Sequence, residues 1–325
     1  MKLRKMTSAG MMDCKKALVE AEGDFNRAQE IIREKGKLVA AKRADRETTE
    51  GAVIARIAPD GKTAILVALG CETDFVARTE GFQALAEALA DVAMKNFPAD
   101  VEALKACKMA DGETVEKEIE VFTGKTGEKL SIVYYGKVEA PYIYAYIHKL
   151  TGKLGALAGF NKVVDESLAK GIAMQVASMN PVAISPEQVS QEMLDSEFKV
   201  AVQKTKDELV QKAINAALEK AGINPAHVDS DAHIESNTAK GWLTPEQANQ
   251  AREIIKTVGE AKAASLPAQM VEGIAKGRVQ KFLKESTLSE QDYQMSDEKI
   301  SVKDAIAKVD KEAQVVDFKR VSLSD

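Results

Sequence analysis

The pattern of apolar and polar positions changes its period along the chain, and the first stretch has the spacing of short helices. Residues 12–21 predict one amphipathic helix, and residues 25–36 predict a second, which we expect Gly36 to end. The apolar positions within residues 3–6 indicate a third helix ahead of these two. We therefore expect residues 1–49 to form a compact three-helix module.

After a charged linker at residues 37–50, the period becomes that of β-strands. The ranges that predict strands are residues 53–57, 63–69, 130–147 and 154–160. Between the first two, an Ala-Pro-Asp-Gly sequence predicts a hairpin turn, and residues 165–179 predict a later helix. Because strands and helices do not alternate regularly, the pattern favours an α+β fold with antiparallel sheets over a doubly wound one.

A long helical segment interrupts this mixed region. Ser-Pro-Glu-Gln at residues 185–188 and Thr-Pro-Glu-Gln at residues 244–247 are both helix-start signatures, and each precedes a long amphipathic stretch. They predict an inserted, coiled-coil-like helical hairpin, after which a short helix and a strand return to the sheet region. The expected domains are residues 1–49, residues 50–140, residues 141–186 with 286–325, and the hairpin at residues 187–285.

Composition limits the class of protein. With 325 residues, 45% hydrophobic and 29% charged, and a net charge of −5, the chain resembles an ordinary folded protein. No stretch approaches the ~20 consecutive apolar residues of a membrane span. No basic face is concentrated enough to predict nucleic-acid binding. Three widely spaced cysteines argue against a disulfide framework, so we expect a cytoplasmic protein with reduced thiols.

The sequence contains no signature of covalent catalysis. Gly-Lys-Thr occurs at residues 61–63 and 124–126, but Arg56 and Ile119 stand where a phosphate-binding loop has its first glycine. We therefore interpret both stretches as turns. The histidines and cysteines lack metal-ligand spacing, and no Gly-x-Ser-x-Gly elbow is present, so we expect no metal, no cofactor and no enzyme.

Two short stretches instead suggest contacts with a partner. Residues 71–78, "CETDFVAR", place Asp74 and Phe75 between a predicted strand and a predicted helix, where a ring is costly to leave in water. Residues 7–18, "TSAGMMDCKKAL", place Met11 and Met12 at a helix start. Because successive helical residues point ~100° apart, we expect one of the two methionines to face outward, where it could contact an apolar surface.

These stretches, together with "EGAVIARI" at residues 50–57, "GFQALA" at 81–86 and "IAMQVA" at 172–177, resemble translation elongation factor Ts. The resemblance covers residues 1–186 and 270–325. It implies a guanine-nucleotide exchange factor for elongation factor Tu, with an N-terminal module similar to ubiquitin-associated domains. Members usually have one or two more helical turns ahead of "LRKMTSAG", so either the first helix is short here or the start lies upstream.

The resemblance also implies which residues contact the partner. The Thr-Asp-Phe-Val motif is expected to displace the elements that hold Mg²⁺ and phosphate in the partner, and it matches Thr73, Asp74, Phe75 and Val76. Contacts of the N-terminal module match Arg4, Met11 and Met12. Contacts of the core match Leu154, Gly155 and Gln175, the last standing where some members carry His.

Other interpretations remain open from the sequence. One is a non-catalytic chaperone-like or ribosome-associated binding module, which would bind without releasing nucleotide. A hydrolase or transferase ranks far behind, because no cluster of titratable residues supports it. For the hairpin, which holds the single Trp242, the alternatives are a lineage insertion, an extra docking element or a homodimer contact.

Overall fold

The computed structural model describes residues 2–3, 10–43 and 45–324, and it confirms the α+β class. The chain divides into two compact units, Met1–Ile184 with Ser286–Asp325, and Ser185–Glu285. The finer division into four domains stays a prediction.

The elements of the larger unit are α1 (Met11–Glu20), α2 (Phe25–Lys42), β1 (Glu50–Ile57), β2 (Thr63–Cys71), α3 (Asp74–Ala77), α4 (Glu80–Asn96), α5 (Val101–Ala106), α6 (Val115–Thr126), β3 (Ser131–Glu139), β4 (Tyr142–Ile147), β5 (Leu154–Phe160) and α7 (Glu166–Met179). The helical insertion contains α8 (Gln191–Lys220), α9 (Asp231–Ala239), α10 (Pro245–Ser265) and α11 (Ala268–Ser286). The chain ends with α12 (Val302–Val309) and β6 (Val315–Ser322) in the larger unit.

Two three-stranded antiparallel sheets form the centre of the larger unit, in the orders β1-β2-β3 and β4-β5-β6. One apolar cluster draws side chains from all six strands, among them Val53, Leu66, Val138, Leu157 and Val321. The opposite face of the first sheet packs on α4, and that of the second packs on α7. The order of layers is therefore helix, sheet, sheet, helix.

Strand β2 shows how the sequence produces these layers. Ile65, Val67 and Leu69 contribute to the cluster shared with α4, whereas Leu66 and Ala68 contribute to the cluster between the sheets. Successive strand residues point to opposite faces, so a continuous apolar run is needed where both faces are buried. This explains why residues 63–71 are apolar nearly throughout.

The prediction that Gly36 ends a helix is wrong. Helix α2 continues through Gly36 to Lys42, so part of the expected linker is helical. A Cβ atom on Gly36 would lie 2.6 Å from the backbone oxygen of Glu120, and one on Gly124 would lie 2.8 Å from the Gly36 Cα. The two glycines let α2 and α6 cross with their backbones in close contact, which no larger residue would allow.

The interpretation of residues 124–126 as a turn is also wrong, because they form the last turn of α6. The turn itself comes one residue later, where Gly127 has a φ of +74° and its N–H donates to the Thr123 carbonyl. Residues 61–63 do begin at a turn, with Gly61 at a φ of +71°. The two similar tripeptides thus lie in different local structures.

The second unit has its own small core. Helices α8, α9 and α10 pack around one cluster, which includes Ile214, Leu218, Ile234 and Leu243. Its two predicted helix starts differ: Thr244 forms a full capping box with Gln247, whereas residues 186–188 form a short 3₁₀ turn and α8 begins only at Gln191. Dimerisation through this hairpin stays a prediction.

Candidate functional site

The turn after β2 is a single helical turn, α3, that presents one aromatic ring to solvent. Thr73 caps it, Ala77 is buried beneath it and Val76 packs on the cluster shared with α4. Phe75 is 82% exposed, more than any other phenylalanine among the described residues. Its two apolar neighbours anchor the turn, and the ring itself takes no part in the core.

Asp74 lies beside the ring on the same turn. Its carboxylate pairs with the guanidinium of Arg78, four residues later, at 3.0 Å. Both side chains are substantially exposed, so the pair contributes little to stability and can exchange for a partner's groups. Behind the turn, the Thr79 hydroxyl donates to the Val76 carbonyl at 2.8 Å, and the Gln83 amide donates to the Ala77 carbonyl at 2.7 Å.

In front of the turn, two carboxylates tie it to the segment between α6 and β3. Glu128 accepts from the Thr73 N–H at 3.0 Å and from the Thr73 hydroxyl at 2.6 Å. Glu72 accepts from the Lys129 N–H at 2.7 Å and from Arg43 Nη1 at 2.7 and 2.8 Å. The backbone of the turn is therefore held on both sides, while the Phe75 ring stays exposed to solvent.

Two titratable groups next to the turn have shifted pKa values. Burial alone would raise the pKa of Glu72, but the hydrogen bonds from Lys129 N–H and Arg43 outweigh it and hold that pKa below its ordinary value. Burial, reinforced by the Glu128 carboxylate, raises the pKa of the Cys71 thiol to about 12. Cys71 is therefore protonated at neutral pH, and its Sγ–H donates to the Thr73 carbonyl at 3.2 Å.

Comparison with known proteins shows the family to which this chain is similar. A model of the family described as elongation factor TS matches residues 72–325. An elongation factor Ts from Bacteroides fragilis is 52% identical over 322 residues, which cover 99% of this chain and 96% of that protein. Those of Bacteroides thetaiotaomicron and Christiangramia forsetii are 50% identical over 322 and 39% identical over 324 residues, with the same coverage of 99% and 96%.

The chain belongs to the elongation factor Ts family. It is thus a translation elongation factor, and the family match includes the helical insertion that the motifs alone did not cover. The alternative of a hydrolase or transferase has no support from these relatives.

The N-terminal module exposes both of the methionines at the start of α1. Met11 is 64% and Met12 is 63% exposed, so both face outward where one was expected to. The buried side of α1 is formed by Cys14 and Ala17, which pack with Leu3 on the preceding segment. Arg4 lies outside the described residues.

The three predicted contacts in the core have roles inside the fold. Gly155 lies between the sheets, where an added Cβ would come within 2.7 Å of Val53 Cγ1, and Leu154 is half-buried against the cluster of α7. Gln175 is fully buried. Its amide nitrogen donates to Gln291 Oε1 and the Asp292 carbonyl, both at 3.2 Å, and its oxygen accepts from the Gln294 N–H at 3.0 Å. Contact of these residues with a partner stays a prediction.

Sequence reasoning missed the residues that hold the turn, Glu128, Glu72, Lys129 and Arg43. Glu128 lies 55 positions after Thr73, and no local pattern marks a carboxylate that acts at such a separation. The part of the chain that the structure describes contains no group of three or more His, Cys, Asp or Glu side chains placed to bind a metal ion. Within that same part, no helix combines the length and apolar character of a membrane span.

Proposed function

We propose that this chain is a guanine-nucleotide exchange factor that binds elongation factor Tu in its GDP-bound form and promotes release of GDP in the cytoplasm. It would act without covalent catalysis. Membership of the elongation factor Ts family supports the partner and the reaction. The observation that carries the proposal is Phe75, an exposed ring on a turn whose backbone is fixed on both sides.

The exposed ring fits the role of a wedge. Burying one phenylalanine side chain in an apolar slot of a partner yields ~1.5–3 kcal/mol. Because the turn is already ordered in the free protein, little conformational entropy is lost when the ring is inserted. Asp74, paired with Arg78 across one turn, can hydrogen-bond to the partner beside the ring.

Insertion of the ring is coupled to nucleotide affinity. Mg²⁺ links phosphate oxygens to protein ligands at short distances and in a strict octahedral geometry. A wedge that displaces those ligands therefore weakens GDP binding. By reciprocity, the exchange factor binds the nucleotide-free partner more tightly than the loaded one by the same factor.

Other surfaces would supply affinity. Met11 and Met12 form an exposed, adaptable apolar patch on the N-terminal module, suited to a partner's surface. We assign Arg4 to the same contact, and Leu154, Gly155 and Gln175 to a second one on the core. For Gln175 the contact would be indirect, through residues 291–294, which its amide holds in place.

The test is release of a fluorescent GDP analogue from elongation factor Tu in the presence of excess unlabelled GDP. We expect the wild-type chain to accelerate release in a concentration-dependent and saturable way. If it binds the partner but leaves the intrinsic release rate unchanged, the chain is a binding module and not an exchange factor.

Truncation of the ring tests the role of Phe75. Phe75→Ala removes the apolar gain and should lower the maximal rate by about 10- to 100-fold, the equivalent of 1.5–3 kcal/mol. The melting temperature should not fall, because the ring takes no part in the core. Val309→Ala on α12, also exposed, is the matched control and should exchange like the wild type. A GDP-release rate for Phe75→Ala equal to that of the wild type would show that Phe75 does not act as a wedge.

A further inference from the structure

We propose that Glu128 is a positioning residue for exchange: its carboxylate holds the turn in the conformation that presents Phe75. This inference rests on the proposed exchange function and adds a residue to it. Glu128 comes 53 positions after Phe75 in the chain and belongs to the segment between α6 and β3. It acts on the ring through Thr73.

The contact with Thr73 determines how α3 begins. The carboxylate accepts both hydrogen bonds that Thr73 can donate, from its amide N–H at 3.0 Å and from its hydroxyl at 2.6 Å. With its proton directed to Glu128, the hydroxyl oxygen presents a lone pair to the Val76 N–H, 3.4 Å away. The hydrogen-bond chain from Glu128 through Thr73 to Val76 therefore spans Phe75, the residue that it positions.

Glu128 is itself held in place. Gly127, at a φ of +74°, ends α6 and redirects the chain, and the Glu128 N–H donates to Thr126 Oγ1 at 3.3 Å. The next residue, Lys129, donates its N–H to Glu72, the residue before Thr73. Residues 72–73 and 128–129 are thus joined reciprocally, each segment supplying one carboxylate and at least one backbone N–H.

The hydrogen bonds to Glu128 matter because a helix as short as α3 is not stable by itself. A helix of four residues has hardly begun to recover the cost of nucleation. The exposed ring gives the turn no packing in the free protein, so its order depends on Val76 and Ala77, which pack inward, and on the hydrogen bonds at its two ends. Without an external constraint, the turn would sample other conformations, and insertion of the ring would have to order it.

The competing interpretation is that Glu128 only stabilises the fold. The two roles differ in how Glu128→Ala combines with Phe75→Ala. If Glu128 acts through the ring, Glu128→Ala should change the GDP-release rate little once the ring is absent. If Glu128 only stabilises the fold, the substitution should lower the rate by the same factor in both backgrounds.

The experiment measures the maximal rate of GDP release for the wild type, both single variants and the double variant. We expect Glu128→Ala to lower the rate by about tenfold in the wild type but by less than about twofold in the Phe75→Ala background. Glu128→Gln keeps an acceptor for the Thr73 amide and should recover part of the loss. A rate within twofold of wild type for Glu128→Ala, or equal losses in both backgrounds, would overturn the proposal.

A second measurement follows the free protein and needs no partner. Amide hydrogen exchange of residues 73–77 should become at least about tenfold faster in Glu128→Ala, because the turn opens locally, and stay unchanged in Phe75→Ala. Unchanged protection in Glu128→Ala would exclude the constraint whatever the exchange assay shows. If Glu128→Ala does not fold, Thr73→Val removes the same hydroxyl contact from the other side.

The two proposals fail differently. If the wild type does not accelerate GDP release, the exchange function and the positioning role both fall, while hydrogen exchange still decides whether Glu128 orders the turn. If the wild type is active and Glu128→Ala matches it, only the role of Glu128 is lost. Asn161→Ala, which breaks a comparable tie in the other half of the larger unit, serves as the control and should leave release unchanged.

Discussion

The larger unit passes twice from the middle strand of a sheet to the helix that covers it, once after β2 and once after β5. Both connections are tied to the residues just before the third strand of their sheet. After β2 the tie runs from Thr73 to Glu128, shortly before β3. After β5 it runs from Asn161 to Glu312 and Gln314, shortly before β6.

The two connections differ at their tips. The first forms a helical turn and carries Phe75, 82% exposed, whereas the second carries Val163, 70% exposed, outside any helix. Asn161 ties the second connection with its own side chain, donating to the Glu312 carbonyl and accepting from the Gln314 N–H, each at 2.9 Å. The same scaffold therefore supports two tips, and only the first combines a large ring with a carboxylate that fixes the cap of its turn.

This difference indicates that exposure alone does not define the functional tip. A valine exposed on a loop is common on protein surfaces and needs no explanation. A phenylalanine on an ordered turn leaves more apolar area in water and offers a partner a rigid shape. The value of the first connection lies in the combination of a large side chain with a fixed backbone.

Among the tests that compare the two connections, exchanging their tips gives the largest expected effect. Phe75→Val should lower the maximal rate of GDP release by about tenfold, because several buried carbons are lost from the wedge. Val163→Phe adds a ring to the second connection and should leave the rate within about twofold of wild type. Stopped-flow release of fluorescent GDP measures both, and an equal loss in the two variants would mean that the connections are not functionally distinct.

Breaking the tie of the second connection should affect stability and not exchange. Asn161→Ala removes two hydrogen bonds to the backbone and should lower the free energy of unfolding by about 1–2 kcal/mol. Urea denaturation followed by circular dichroism measures this change. A fall in the GDP-release rate that matches the fall for Glu128→Ala would instead show that any loosening of the sheets impairs exchange.

The sequence predicted best what short-range patterns determine. The alternation and turn residues of the first hairpin appear as β1 and β2, with the Ala58 N–H bonded to the Thr63 carbonyl at 2.8 Å. The motif at residues 71–78 was correctly expected at a surface turn with its ring exposed. Each of these features could be predicted from residues within about ten positions of one another.

Some features could not be predicted because they depend on residues that are distant in the sequence. A glycine that ends a helix and a glycine that allows two helices to cross look alike in the local sequence. The role of Gly36 becomes clear only from its contact with Gly124, which is distant in the sequence. The amide of Gln175 bonds to residues more than 110 positions away, a role inside the fold that no local pattern predicts, while its contact with a partner stays a prediction. Long-range packing overrides local preference at such positions.

The smallest expected effects concern acid stability, where each connection has one carboxyl with a lowered pKa. In the first, hydrogen bonds from Lys129 N–H and Arg43 overcome the effect of burial on Glu72. At the second, the ammonium of Lys162, followed by the Glu312 N–H, lowers the pKa of the half-buried Asp310 on the segment before β6. A carboxyl whose pKa is lower in the folded state stabilises the fold above its unfolded pKa, near 4, and loses that contribution as the pH falls through the folded value.

Replacing these carboxyls should therefore matter at pH 7 and progressively less below about pH 4. Glu72→Gln should reduce the free energy of unfolding by about 1 kcal/mol at neutral pH, with the difference from wild type shrinking on acidification. Asp310→Asn should follow the same direction with a smaller effect that about 0.5 M salt reduces, because its ion pair with Lys162 is partly exposed. Urea midpoints between pH 7 and pH 3 measure both. A Glu72→Gln difference that stays constant with pH would mean that the ionised carboxylate does not stabilise the first connection, which would then depend on Glu128 and Thr73 alone.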